Sequence, residues 1–475
     1  MRKTKIVATL GPASNNIEIM KNLINSGLNV ARFNFSHGTH ESHREMANTM
    51  KKASKELGVS VALMLDTKGP EIRTKALKAD TIELKEGNKF ILTSEDIIGD
   101  ENRVSITHNG LSEDVKIGGK ILLDDGLIEL LIDNITDTNV ECTILNGGIL
   151  KANKGVNLPN VEVSLPSLTE KDIEDIKFAI AEDFDFIAAS FVRTANDLKE
   201  IKRILKENNG SHIKIISKIE NRQGVDNIDE ILELTDSIMV ARGDLGVEID
   251  PEEVPIIQKS LIKKANKLGK PVITATQMLE SMINNPRPTR AETSDVANAI
   301  IDGTDAIMLS GETAGGKYPE EAVKMMARIA TKTEESLKYN INNPYQNADI
   351  KTTPTDAVGY AATSIAKSIE ASAIITLTTS GFTANMISKF RPITKTISIT
   401  PDKTVFKQLN LTWGSIPILA DCAAEPKELL AIAVKTMSET NYLKKGDSVV
   451  IVSGMPLGIA GTTNNIRIYI IGDEI

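Results

Sequence analysis

Eight short runs rich in valine and isoleucine punctuate the first two-thirds of the chain, at 5–10, 29–35, 61–65, 184–190, 214–217, 237–240, 271–275 and 306–309. Amphipathic helical stretches separate most of them. Eight such strand-then-helix units predict a (β/α)8 barrel. The polar residues are not spread evenly around these runs. They collect behind them, in Gly11-Pro12, Ser36-His37, Asp66-Thr67-Lys68, Ser190, Lys218-Ile219-Glu220, Arg242-Gly243-Asp244, Thr276-Gln277 and Ser310-Gly311-Glu312-Thr313. A barrel of this kind does its chemistry at the C-terminal ends of its strands, so the site is expected there.

One interval breaks the rhythm. Between Lys68-Gly69-Pro70 and Leu165-Pro166-Ser167 there is no long amphipathic helix, only β-like runs at 81–85, 89–93, 120–124, 127–132 and 139–145 between Gly, Asn and Asp turns. This predicts an all-β domain inserted after the third strand, at 70–166, with Pro70 and Pro166 at its hinges and a β-barrel as its expected form. An insertion at the catalytic rim is placed to act as a lid. The polar, Pro-containing stretch 340–346 reads as a linker. Beyond it, runs at 373–378, 396–399, 416–419, 448–452 and 466–471 are too few for a second barrel and predict an open-sheet α/β domain. The expected division is a barrel from 1–69 and 167–340, a lid from 70–166, and a C-terminal domain from 345–475.

A net charge of −9 and a pI of about 5.4 argue against general binding to nucleic acid or an anionic membrane. Cys142 and Cys422 lie far apart with no CxxC spacing, which fits packing residues in a reducing compartment. The basic start Met1-Arg2-Lys3 is followed by too few apolar residues for a signal or a membrane span, so a cytoplasmic location is expected.

The site can be read from strand periodicity. In Ile215-Ile216-Ser217-Lys218-Ile219-Glu220, Lys218 and Glu220 fall on one face. Asp244 ends the next unit, and two carboxylates with open positions are the usual way to hold Mg2+ beside a phosphate. Gly243 and Gly246 let backbone N–H groups approach an anion. The combination suits phosphoryl or enolate chemistry. In the second strand Arg32, Asn34 and Ser36 share one face, and Phe33 and Phe35 the other. Polar groups facing the interior of a barrel are costly unless they hold an ion, so an anion or cation site is expected. The third strand ends in Asp66-Thr67-Lys68-Gly69-Pro70-Glu71-Ile72-Arg73, which sets acids and bases at the mouth beside the lid hinge.

These segments, with Lys5–Leu10-Gly11-Pro12-Ala13-Ser14, Arg32-Phe33-Asn34-Phe35-Ser36-His37-Gly38, Met239-Val240-Ala241-Arg242-Gly243-Asp244-Leu245-Gly246 and Thr274-Ala275-Thr276-Gln277-Met278-Leu279-Glu280-Ser281, occur in an order that resembles the pyruvate kinase family along essentially the whole chain. The resemblance implies transfer of a phosphoryl group from phosphoenolpyruvate to ADP, giving pyruvate and ATP. It implies that Glu220 and Asp244 hold Mg2+ and that Lys218 neutralises charge on the phosphoryl group and the enolate. By the same resemblance, the backbone N–H groups of Gly243 and Asp244 and the Thr276 hydroxyl bind the substrate carboxylate, and Arg32 pairs with its phosphate. Asn34, Ser36, Asp66 and Thr67 correspond to the family's K+ site, and glutamate at the position of Glu71 goes with K+ dependence. Asn34, His37, Arg73 and, from the lid, Lys154 resemble nucleotide contacts, and a second Mg2+ arrives with ADP. Thr276 with a water relay is the candidate for protonating the enolate. A homotetramer is implied by resemblance alone.

Two features act as decoys. Gly311-Glu312-Thr313-Ala314-Gly315-Gly316-Lys317-Tyr318 nearly spells a P-loop but has Tyr where the Mg2+-binding hydroxyl belongs. His37, His40 and His43 drift around a helix at spacing three and lack a cysteine, so they read as a solvated helix start rather than a metal cluster. In the C-terminal part, Thr378, Thr379, Ser380, Gly381 and Thr383 lead into a helix at 384–389. Such a loop is either a phosphate-binding arrangement or a plain helix cap. The resemblance makes it an effector site. The loop 453–461 lacks the Trp and Arg used with fructose 1,6-bisphosphate, so AMP or a sugar monophosphate is the better candidate. No additional domain is expected after Ile475. The rival readings are another Mg2+-dependent enolate barrel, such as an aldolase, and a non-catalytic metabolite sensor. Neither needs Lys218, Glu220, Asp244 and Thr276 together with the Arg32 strand and a lid.

Overall fold

Each of the eight apolar runs forms a strand in the computed structural model, which describes residues 2–337, 353–420, 442–455 and 461–473. The first three are β1 (Lys5–Leu10), β2 (Val30–Asn34) and β3 (Ala62–Asp66). The lid strands follow: β4 (Thr81–Leu84), β5 (Lys89–Thr93), β6 (Arg103–Ser105), β7 (Lys120–Leu123), β8 (Ile128–Ile135), β9 (Asn139–Asn146), β10 (Gly148–Lys151) and β11 (Val156–Asn157). The chain then returns for β12 (Phe186–Ala189), β13 (Lys214–Ile219), β14 (Ser237–Ala241), β15 (Val272–Ala275) and β16 (Ala306–Leu309). Pairing runs β1-β16-β15-β14-β13-β12-β3-β2 and closes on itself, every neighbour parallel. Strand periodicity sorts the side chains. Ile6, Ala8, Phe33, Leu63 and Ile215 pack outward against the helices, while Val7, Val30, Met64, Phe186, Ile216 and Met239 fill the interior.

The lid has a core of its own, built from alternating positions such as Ile82, Leu84, Phe90, Leu92, Ile121, Leu123, Leu130 and Ile144. Its strands make a six-stranded sheet in the order β11-β7-β8-β9-β5-β6 and a separate pair β10-β4. The end strands β11 and β6 are bridged by residues 72–75, where Arg73 pairs with Gly155 beside β11 and Thr74 with Ile106 beside β6. The lid also contains a short helix, Leu111–Asp114. The outgoing hinge is held where Gly69 N donates to Asp172 Oδ1 at 3.0 Å. Gly69 has φ 74°, and a Cβ there would meet Ser190 Cβ at 2.7 Å, so only glycine fits this exit. The returning strand is held by the Arg193 guanidinium, which donates to the carbonyls of Val163, Leu165 and Pro166 at 3.0, 2.8 and 3.2 Å.

After the barrel come β17 (Ala373–Leu377), β18 (Thr396–Thr400), β19 (Ser415–Leu419), β20 (Ser448–Ser453) and β21 (Asn465–Ile470). They form one open sheet in the order β19-β18-β17-β20-β21, parallel except for β21. The expected linker at 340–346 and the expected loop residues 456–460 lie outside the described residues. Arg391 Nη1 pairs with Asp305 Oδ1 at 2.7 Å, joining this domain to the barrel through a buried ion pair. Leu411 belongs to the same apolar cluster as Val7, Val30, Ala62 and Phe186, and so closes the N-terminal end of the barrel. Leu411→Ala would leave a cavity there. An expected cost of about 2–5 kcal/mol would appear as a lower urea midpoint for the barrel transition.

Candidate active site

Three strand ends converge on one buried charge cluster at the C-terminal face of the barrel. β2 contributes Arg32, β3 contributes Asp66, and β13 contributes Lys218 and Glu220. Parallel registry sets Asn34 opposite Asp66 and Ser217 opposite Ala189, which brings residues far apart in sequence to one level. Arg32 Nε donates to Asp66 Oδ2 at 2.6 Å, and its Nη1 donates to Thr9 Oγ1 at 2.8 Å. Lys218 Nζ lies 3.1 Å from Asp66 Oδ1 and 2.9 Å from Glu220 Oε1, and it donates to Ser190 Oγ at 2.7 Å. Glu220 Oε2 accepts the Phe191 N–H at 2.7 Å. Its Oε1 is buried and has no aligned hydrogen-bond donor.

The electrostatics of the cluster follow from burial and pairing. Burial opposes ionisation of Asp66, but Arg32 and Lys218 outweigh it and hold the carboxyl below its ordinary range. Burial likewise works against the Lys218 ammonium, and the carboxylates of Asp66, Glu220 and Asp244 reverse the effect and keep it charged. Glu220 goes the other way. Burial first, and the nearby Asp244 carboxylate second, push it up to about 8 against the pull of Lys218. A carboxylate kept in such a place is a candidate cation ligand. Among the described residues no three His, Cys, Asp or Glu side chains converge on one point. A metal held by Glu220 and Asp244 would therefore complete its shell with substrate or water oxygens, as Mg2+ commonly does.

Beside this cluster, β14 runs directly into the helix Arg242–Glu248, and β15 ends in Thr276. Thr276 and Gln277 have φ of 70° and 54°, conformations that a β-branched residue adopts only under constraint. The constraint is Arg242, which donates through Nη2 to Thr276 O at 2.7 Å and through Nε to Ala275 O at 3.1 Å. Asp295 holds its Nη1 at 2.7 Å. Gly243 packs against Thr276, where a Cβ would approach Thr276 Cγ2 to 2.8 Å. The exposed Asp244 follows on the same first turn.

The barrel matches the family described as "Pyruvate kinase, barrel domain" over residues 1–323, and the C-terminal domain matches "Pyruvate kinase, alpha/beta domain" over 356–469. The chain belongs to the pyruvate kinase family. Pyruvate kinases from Staphylococcus aureus strains MRSA252 and USA300 are each 52% identical to it over 477 aligned positions, spanning all of this chain and 81% of theirs. It is accordingly a phosphotransferase acting on phosphoenolpyruvate and ADP, a metal-dependent reaction of glycolysis. No helix among the described residues is long and apolar enough to cross a membrane.

The other residues singled out from the pyruvate kinase pattern fall in three places. Arg73 and Lys154 line a cleft of about 230 Å³ between lid and barrel, together with Glu71, Asp124, Asp244 and Glu248. Arg73 Nε pairs with Glu71 Oε2 at 2.6 Å, and Lys154 Nζ with Asp124 Oδ1 at 2.7 Å. His37 is exposed at the end of the second strand and outside that cleft, and its carbonyl accepts from His43 Nε2. Asn34 Oδ1 accepts the Ser36 N–H at 3.1 Å, and Thr67 Oγ1 accepts the Ser190 N–H at 3.1 Å. In the C-terminal domain, Thr378 Oγ1 accepts from Gly381 N at 2.9 Å, Gly381 has φ 83°, and Thr383 Oγ1 lies 3.0 Å from Thr463 Oγ1. Thr379 is exposed and Ser380 half-buried at the start of the helix Phe382–Ser388.

The decoys resolve as ordinary structure. His43 stacks on Phe35 with centroids 4.1 Å apart, and His40 bonds Asp175 at 2.7 Å. Gly311–Ala314 is one helical turn after β16. Thr9, Ser190, Phe191 and Arg242 had escaped the sequence reading as members of the site. Ser190 and Arg242 do stand at strand ends, but their partners are 28 to 124 residues away, and no local pattern carries that information.

Proposed function

We propose that Glu220 and Asp244 hold the Mg2+ of this pyruvate kinase and that Asn34, Ser36, Asp66 and Thr67 hold K+. The observation that carries the Mg2+ reading is the buried Glu220 carboxylate, whose Oε1 meets the Lys218 ammonium at 2.9 Å and which feels the nearby Asp244 carboxylate. When bound, Mg2+ supplies a Lewis acid for the developing oxyanion. Lys218 neutralises negative charge on the phosphoryl group and the enolate from its buried position. Arg32 is anchored through Nε and Nη1, which leaves Nη2 unengaged among the described residues and supports its role as the phosphate fork. The backbone N–H groups of Gly243 and Asp244 take the substrate carboxylate with the Thr276 hydroxyl, and the Arg242 clamp on the Thr276 carbonyl supports that placement. Thr276, through a water relay, hands a proton to the enolate.

Arg73 and Lys154 meet the nucleotide in the lid cleft, and Asn34 and His37 contact it outside that cleft, from the end of the second strand. Registry between Asn34 and Asp66, with Thr67 next in sequence, supports the K+ ligands. Thr378, Thr379, Ser380, Gly381 and Thr383 bind an effector phosphate, of AMP or a sugar monophosphate, in a cytoplasmic homotetramer. The division into a barrel at 1–69 and 167–340, a lid at 70–166 and a regulatory domain at 345–475 agrees with separate apolar cores that break between Leu65 and Ile72 and between Leu165 and Leu168.

The direct test is pyruvate formation from phosphoenolpyruvate and ADP with Mg2+, in parallel with and without K+. Strong turnover only with K+ is expected, whereas rates unchanged by its removal would sink the monovalent site. Mg2+ dependence should also vary with pH. Below about pH 8 the proton on Glu220 competes with the metal, so apparent Mg2+ affinity should rise about tenfold per pH unit between 6 and 8 and then level off. A Mg2+ titration followed by activity at each pH reads this directly, and a flat profile would mean that no proton on Glu220 competes with the metal in this range. The same raised value has a consequence for the metal-free protein. Its native state binds the extra proton, so the stability that Glu220 contributes falls as pH rises through 8.

A further inference from the structure

The seven-residue helix Arg242–Glu248 touches two functional parts of the molecule. Asp244 lies in its first turn, at the barrel mouth, and Glu248 at its end reaches the lid. Asn157, in the lid strand β11, donates from Nδ2 to Glu248 Oε1 at 2.8 Å, and the Glu248 carboxylate also accepts the backbone N–H of Leu158. The other hydrogen bond from this part of the lid is longer and exposed, from Arg222 Nε to Asn160 Oδ1 at 3.2 Å. The contacts at Gly69 and Arg193 fix the pivot, and a pivot does not choose between open and closed. Glu248 lies beyond the pivot, and both Asn157 and Glu248 line the cleft between lid and barrel.

We infer that Glu248 and Asn157 form a latch that holds the lid down over the nucleotide cleft, with Glu248 acting as a positioning residue. The inference rests on the proposed seating of the nucleotide against Arg73 and Lys154. Glu248 takes both N–H groups from the lid, and opening the lid exchanges both hydrogen bonds for water. Because Asp244 and Glu248 share one short rigid helix, lid closure and the setting of Asp244 are one mechanical event. Closure of this kind excludes water from the transfer and completes the site.

The test is made on the full-length enzyme. Spin labels at Ile117→Cys on the lid and Ile256→Cys on the barrel, both exposed positions, report lid position, with Cys422→Ser to remove a second label and the buried Cys142 left in place. Glu248→Leu and Asn157→Leu should each broaden and lengthen the label-to-label distance with phosphoenolpyruvate, ADP and Mg2+ present, and raise KM for ADP about tenfold. The double variant should lose no more than the worse single one, since one latch cannot be broken twice. Glu248→Gln keeps an acceptor oxygen and should return KM to within about threefold of the parent. Unchanged distances in the leucine variants would overturn the latch, as would additive losses in the double variant. So would a Glu248→Gln enzyme as impaired as Glu248→Leu, because the carboxylate would then act by charge on Asp244. If Glu248→Leu fails to fold, Asn157→Leu carries the test from the lid surface. If Lys154→Ala leaves KM for ADP unchanged while the leucine variants still open the lid, the nucleotide seating fails and the latch stands.

Discussion

A Lys218→Met enzyme is expected to fold and to turn over on the order of 10²–10³ times more slowly, the usual loss when one preorganised charge is removed from a transition state. Methionine keeps the unbranched stem and deletes only the ammonium. The ammonium reaches Asp66, Glu220 and Ser190 at once, so the charge is placed before the substrate arrives and does not reorganise during the reaction. Breaking a buried ion pair ordinarily costs about 3–5 kcal/mol. Here the cost should be smaller, because Asp66 keeps Arg32, and Glu220, already pushed up to about 8, can take a proton instead. The destabilisation should therefore be slight at pH 6 and grow toward pH 8.5, where Glu220 must ionise without its partner. Urea unfolding at the two pH values, beside kcat from pyruvate formation, checks both halves. A kcat within tenfold of the parent would remove Lys218 from the chemistry.

Asp66→Asn should be at least as damaging, for a different reason. Asp66 is 1% exposed, and it is the carboxylate that both Arg32 and Lys218 contact. The amide keeps the shape but has one acceptor oxygen and no charge, so Arg32 loses its carboxylate and Lys218 is left with Glu220 alone. Arg32 cannot relieve this by losing its proton. The expected cost in stability is about 3–5 kcal/mol. Turnover with phosphoenolpyruvate should fall on the order of 10²-fold, because both the phosphate fork and the neutralising ammonium lose their alignment. The K+ response should flatten as well, since the proposed monovalent site loses its one carboxylate. Asn34→Ala separates the two effects. It removes a proposed K+ ligand but leaves the Arg32–Asp66–Lys218 contacts, so it should raise the K+ requirement while sparing stability. An Asp66→Asn enzyme with kcat/KM within about fivefold of the parent would show that the two cations are positioned by something else.

The contrast between these residues shows how far the sequence could be read. All eight barrel strands are visible as apolar runs, and the observed ends lie within two residues of the expected ones, as in β12 at Phe186–Ala189 against 184–190. The inward face of β2 was also legible, because alternation with period two separates Arg32 from Phe33 without knowledge of any neighbour. In the lid, β6, β10 and β11, strands of three, four and two residues, were not read from the sequence.

Periodicity is a property of consecutive residues, so the sequence alone determines that there are eight core strands, that their polar ends gather on one face, and that Lys218 and Glu220 point together. The registry of non-adjacent strands decides the rest. Only closure of β1 against both β2 and β16 makes the ring, and only the pairing of β12 with both β3 and β13 puts Asp66 of β3 within reach of Lys218 of β13. The same pairing lets Ser190 meet both Thr67 and Lys218, while the closed ring leaves the barrel floor that Leu411 fills. Such contacts are set by interstrand spacing and the stagger of a closed sheet, quantities that arise when the whole core packs at once.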